Sequence, residues 1–135
     1  MKALAFLAIG KVGIIDIPIP DPGPNDAVIK TTASLICTSD VHTVRGVIEI
    51  PEGRVLGHES VGIVYKAGAN VATCKEGDRV VVNAITPCGK CDPCQRGVAS
   101  QCGGMLGGYK FTTQRDGNMA EYFFVNDADY NVVAI

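Results

Sequence analysis

Some features are scarce in this 135-residue chain, and each scarcity excludes something. No apolar stretch approaches the length needed to cross a bilayer. Charge of neither sign dominates: 12 Lys and Arg stand against 14 Asp and Glu, which leaves no electrostatic footprint for nucleic acid or an anionic membrane. There are no internal repeats and no low-complexity tracts. The opening run has the lysine and apolar residues of a signal peptide, but Lys11 interrupts it before any small-residue cleavage pattern appears. It reads as a buried first strand, and a soluble, cytoplasmic protein is the expectation. Histidine is also scarce, with two in the whole chain, so the company each keeps is informative.

What is present is a β-rich pattern. Short runs of Val, Ile and aromatics are separated by Gly, Pro, Asn and Asp, which predicts strands over 2–9, 12–17, 27–35, 60–66, 79–83 and 119–125, with an apolar strand at 132–135. The proline-rich stretch 18–24 cannot sustain a ladder, because proline has no amide proton, so it must connect. Helix is expected only over 38–45, which opens with capping residues and stops at Gly46, and over 92–96. At this length one domain has room for a real core without disulfides.

Six cysteines in such a chain suggest metal before disulfide. Cys88, Cys91, Cys94 and Cys102 follow a C-x2-C-x2-C-x7-C spacing. Two-residue spacings let a tight turn aim successive thiolates at one tetrahedral ion, and four sulfurs leave no open position, so such a zinc would be structural. A ferredoxin-like cluster or a set of disulfides are the competing readings of the same spacing. Cys74 has no assigned role. Elsewhere Cys37-Thr38-Ser39-Asp40-Val41-His42 and Gly57-His58-Glu59 hold both histidines beside groups capable of metal or proton chemistry. Taken singly, a cysteine after Leu35-Ile36 or a lone histidine also has a packing reading.

Taken together, these segments resemble a known family. Gly57-His58-Glu59-Ser60-Val61-Gly62, with Gly68 and Val71, completes G-H-E-x2-G-x5-G-x2-V and resembles the zinc-site signature of medium-chain zinc alcohol dehydrogenases. Cys37-Thr38-Ser39-Asp40, the Gly77-Asp78-Arg79-Val80 turn and the four-cysteine segment follow in that family's order. Residues 37–43, 104–111 and 125–129 further resemble the NADP-dependent secondary-alcohol dehydrogenases.

The resemblance implies a mainly β, GroES-like, twisted and partly open barrel over 1–135, with short helices and a structural zinc lobe at 86–104. It implies that Cys37 and His58 bind a catalytic zinc, with Glu59 close enough to approach or ligate it and a third family ligand beyond Ile135. Asp40 is expected to accept a hydrogen bond from His58, and Ser39 and His42 to relay the alcohol proton to solvent. The implied reaction interconverts small alcohols with aldehydes or ketones using NADP or NAD. The metal's Lewis acidity favours the alkoxide that gives up hydride. A polyol, threonine or formaldehyde dehydrogenase is the alternative within the class; a non-catalytic GroES-like zinc module is the alternative outside it.

A dinucleotide fingerprint, G-x-G-x-x-G between strand and helix, is missing. The nearest run, Gly103-Gly104-x-x-Gly107-Gly108, follows cysteines rather than a strand. The chain therefore reads as the catalytic domain without its nucleotide-binding Rossmann domain, inactive by itself and truncated at its C-terminal end. The whole enzyme is expected to be a homodimer or homotetramer, and this chain to hold close to one zinc.

Overall fold

The computed structural model describes residues 1–103 and 113–135. The resemblance carried by residues 104–111, the glycine run through Gly108 and the last residue of the 86–104 lobe lie outside the described residues.

Among the described residues seven strands form in chain order: β1 (Lys2–Ala8), β2 (Lys11–Asp16), β3 (Ala27–Ser34), β4 (Ser60–Ala67), β5 (Arg79–Val82), β6 (Tyr122–Val125) and β7 (Val132–Ala134). β1 and β2 make an antiparallel hairpin, and the other five make a sheet in the order β6-β3-β4-β5-β7. Single bridges from Ala3 to Ala120 and from Ala5 to Val55 tie the hairpin to the rest, which curls the structure into a partly open barrel. Every strand pairing among the described residues is antiparallel, so no doubly wound parallel sheet occurs among them.

Side-chain pattern explains the layering. Ala27, Val28 and Ile29 are all buried, an unbroken apolar run that suits a strand flanked by β4 and β6. In β5 and β6 the alternation is strict: Val80, Val82, Phe123 and Val125 point inward and their neighbours outward. These residues join Ile29, Val64, Ala128 and Val132 in one apolar core.

The predicted elements form with shifted ends. The strand expected over 119–125 begins only at Tyr122, because the chain changes partner just before it. Met119 and Glu121 exchange hydrogen bonds with β1, Leu4 N to Met119 O at 2.8 Å and Glu121 N to Lys2 O at 3.0 Å. The helices arise as α1 (Thr38–Val44) and α2 (Asp92–Gln95). Two further short turns escaped the sequence reading: a 3-10 turn at Ala99–Gln101 and α3 (Ala128–Asn131), whose preceding Asp127 has a positive φ of 45°.

Candidate metal centres

The first centre is made by closing one long loop. Residues 35–59 connect β3 to β4, and antiparallel register places Ser34 opposite Ser60, so the two ends of the loop meet. Leu35 N donates to Glu59 O at 2.9 Å and continues the ladder one step into the loop. That step brings Cys37, just past β3, beside His58 and Glu59, just before β4. The thiol, imidazole and carboxylate each offer a ligand atom, and these atoms lie within 4.8 Å of one another.

α1 starts at the first ligand. Cys37 is its N-cap, and Asp40 reaches back so that Cys37 N donates to Oδ2 at 2.9 Å. Gly57 N donates to the other oxygen of the same carboxylate at 3.2 Å. Buried Asp40 thus clamps the peptide that precedes Cys37 and the peptide that precedes Gly57, the neighbour of His58. In place of the expected bond from the imidazole there is a looser contact, His58 Nδ1 to Asp40 Oδ1 at 3.7 Å, beyond hydrogen-bonding distance, while the carboxylate takes its short bonds from the two amides. Ser39 is the closer neighbour of the ring: its Oγ lies 3.2 Å from His58 Nε2. Glu59 Oε1 stands 3.9 Å from that nitrogen. His42 sits one turn on from Ser39, exposed on the outer face of α1.

The second centre lies between β5 and β6. The ligand atoms of Cys88, Cys91, Cys94 and Cys102 again lie within 4.8 Å of one another, and none of these cysteines is in a disulfide. Sulfur separations are 3.4 Å for Cys91–Cys94 and 3.9 Å for Cys91–Cys102. A disulfide needs about 2.05 Å. A tetrahedral ion with bonds of about 2.3 Å needs sulfurs about 3.8 Å apart, so the cage fits zinc. The amides of Cys94 and Gly103 donate to the Cys91 sulfur and pull its thiol down to about 6. Cys94 is pushed up to about 12, by burial and by its neighbour Cys91. Packed thiols cannot all ionise side by side, and a divalent cation would remove that conflict.

Buried polar residues that the sequence reading did not single out fasten this lobe to the barrel. Asn131 Nδ2 donates to Pro87 O at 2.9 Å and to Asn126 O at 3.0 Å, while Asn126 Nδ2 donates to Thr86 O at 3.1 Å. Arg115 donates to Phe124 O at 2.8 Å and to Thr86 Oγ1 at 3.0 Å. Burial lowers its guanidinium to about 9, which leaves it charged at neutral pH. No local pattern marks these residues, since their partners at Thr86 and Pro87 lie 29 to 44 positions away.

Comparison with known proteins agrees with this architecture. Residues 23–135 match the alcohol dehydrogenase GroES-like domain family. The chain is 50% identical over 133 residues to the NADP-dependent isopropanol dehydrogenase of Thermoanaerobacter brockii, covering 98% of this chain and 38% of that protein. It is 46% identical over 136 residues to the enzyme of the same name from Entamoeba histolytica, covering all of this chain and 37% of that protein. Among solved structures, zinc-dependent alcohol dehydrogenase 2 from Streptococcus pneumonia superposes with a TM-score of 0.90 at 34% identity, over 99% of this chain and 38% of that one. Alcohol dehydrogenase TADH from Thermus sp. ATN1 gives 0.91 at 32% identity, over 100% and 40%. The chain thus spans about two-fifths of the proteins it matches, and within that span its sequence and its barrel agree: it belongs to the alcohol dehydrogenase GroES-like domain family.

Proposed function

We propose that this chain supplies the metal-binding part of the active site of a zinc-dependent alcohol dehydrogenase that acts on small secondary alcohols with NADP. Residues 1–135 are then its catalytic domain and 86–104 its structural lobe. Cys37, His58 and Glu59 would hold the catalytic zinc, and Cys88, Cys91, Cys94 and Cys102 the structural one. The observation that carries the reading is the convergence of a thiol, an imidazole and a carboxylate within 4.8 Å, with the Ser39 hydroxyl on the same imidazole. The cofactor and substrate class are supported by 50% identity to an NADP-dependent isopropanol dehydrogenase.

Zinc in such a site acts as a Lewis acid that lowers the pKa of an alcohol hydroxyl. The chain's own groups do the rest. The Asp40 carboxylate holds the amides of Cys37 and Gly57 and so keeps the two halves of the ligand loop in register. Ser39 Oγ can accept the alcohol proton while releasing its own, and His42, exposed on the same helix, can pass it to water. With no dinucleotide fingerprint in these residues, the nucleotide is assigned to another part of the whole protein. Small aldehydes or ketones as products belong to the same reading, supported by the alcohol dehydrogenases among the relatives; a homo-oligomeric enzyme and a cytoplasmic location are further parts of the proposal.

The test is His58→Ala in the complete enzyme, assayed with 2-propanol and NADP. The expected outcome is a loss of turnover of about a hundredfold or more, with the fold and the four-cysteine metal retained. Near-normal turnover in a folded variant would refute the ligand role.

A further inference from the structure

His58 is held from behind by a residue that neither centre uses as a ligand. The segment 117–119 lies along 55–57, and three successive amides donate to three successive carbonyls: Gly117 N to Val55 O at 2.9 Å, Asn118 N to Gly57 O at 3.0 Å and Met119 N to Leu56 O at 2.9 Å. The approach is close enough to require glycine on both sides. A Cβ on Gly117 would come within 2.3 Å of Gly57 O, and one on Gly57, whose φ is +91°, within 2.6 Å of Asn118 Oδ1.

Asn118 does more than continue this ladder. Its side chain is fully buried, and its Oδ1 accepts from Ser34 Oγ at 3.2 Å. That hydroxyl also lies 3.3 Å from Glu59 O. Asn118 therefore reaches the peptide before His58 through its backbone, and its side chain shares the Ser34 hydroxyl with the carbonyl of Glu59, the residue after His58. Its Nδ2, by contrast, is buried with no hydrogen-bond partner among the described residues. A buried amide left half satisfied is poorly explained by stability, since an apolar residue of the same volume would fill the space without an orphan donor.

We propose that Asn118, acting through Ser34, is a positioning residue that fixes the orientation of the His58 ring. The proposal rests on the reading of His58 as a ligand, but its test does not depend on that reading. Two variants of the chain separate the terms: Asn118→Leu keeps the branched shape, though not the smaller volume, and removes the acceptor, while Ser34→Ala removes one half-buried hydroxyl. The first readout is the nitrogen and proton spectrum of the two histidine rings in the metal-free chain. Both variants are expected to shift or broaden the His58 signals and leave those of His42 in place. The second readout is titration with cobalt(II) alone. Binding at the Cys37–His58–Glu59 centre should weaken about tenfold to a hundredfold, with binding at the four cysteines unchanged. Unmoved His58 signals in Ser34→Ala, a variant with little reason to misfold, would overturn the proposal even if Asn118→Leu failed to fold. Because this chain is expected to hold close to one metal, a parent chain that took no second cobalt would agree with that expectation, and the ring spectra would decide the role of Asn118.

Discussion

Asp40 has two carboxylate oxygens and two amide donors, from Cys37 and Gly57, in a buried position. Asparagine offers only one acceptor there, and its NH2 would face an amide donor. Asp40→Asn should therefore destabilise the fold by about 1–3 kcal/mol in urea titration, and a change below about 0.5 kcal/mol would contradict the clamp. Half of this clamp was legible in the sequence: an acid three residues after an N-cap reaches back to the cap amide. The other half, to Gly57, depends on loop closure across 17 positions, which no local pattern announces. The same is true of Asn118, which looks like an ordinary turn residue between Gly117 and Met119.

A second acid, Asp129, gives a pH dependence. Its carboxylate accepts from the amide and hydroxyl of Thr73 and from Ala72 N, and these bonds hold it below its ordinary value of 3.8. A depressed folded-state value means that the stabilisation is complete above 3.8 and is lost as pH falls through the lower value. Asp129→Asn should flatten the acid limb of a stability–pH curve while changing little at pH 7 beyond the loss of the bonds themselves. An acid limb identical to the parent's would count against the carboxylate. The group is largely solvent-facing, so the effect should shrink with added salt.

At the scale of elements, α1 carries Ser39 and His42 at unequal distances from the chemistry. Ser39 touches His58, whereas His42 stands out in solvent with other bases free to replace it. In the complete enzyme Ser39→Ala should slow oxidation more than His42→Ala, the latter by about tenfold, and both mainly at low pH where proton loss is limiting. Unchanged pH–rate profiles would mean that protons leave by another route.

The four-cysteine lobe is a different kind of element. Its helical parts are one turn each, too short to persist alone, so on the proposed reading its order would come from a bound metal and from the stem at Thr86 and Pro87. Cys94→Ser should cost one zinc per chain by metal analysis. Amide exchange over residues 88–103 should accelerate, while β3 and β4 stay protected. Retention of that zinc, or exchange spread evenly over the barrel, would overturn this account. The lobe was fully readable as a spacing, because its ligands are close in sequence. Its attachment was not: Asn126 and Asn131 act from beyond β6, and a buried asparagine looks like any polar loop residue until its partners are in place.

At the scale of the whole molecule, the strands were legible because pleated, half-buried segments alternate visibly, and the shifted start of β6 shows where that reading stops. Residues 117–121 carry strand-like chemistry but bond first to 55–57 and then to β1, a change of partner that periodicity does not encode. The barrel also leaves Leu35 at 67% and Ile36 at 76% exposed beside Cys37.

The two cages differ in how much chain must be organised before they exist. The four cysteines are gathered by one short stretch, whereas Cys37, His58 and Glu59 converge only after β3 and β4 have paired and Ser34 has met Ser60. An unfolded chain emerging into a zinc-poor solution can therefore grip its first ion before it has a barrel, by local encounter alone. An ion at Cys37, His58 and Glu59 would have to wait for tertiary structure. On the proposed ligand sets, loading would be ordered in time by topology, and an ion captured during folding would first meet the cage that steadies the lobe.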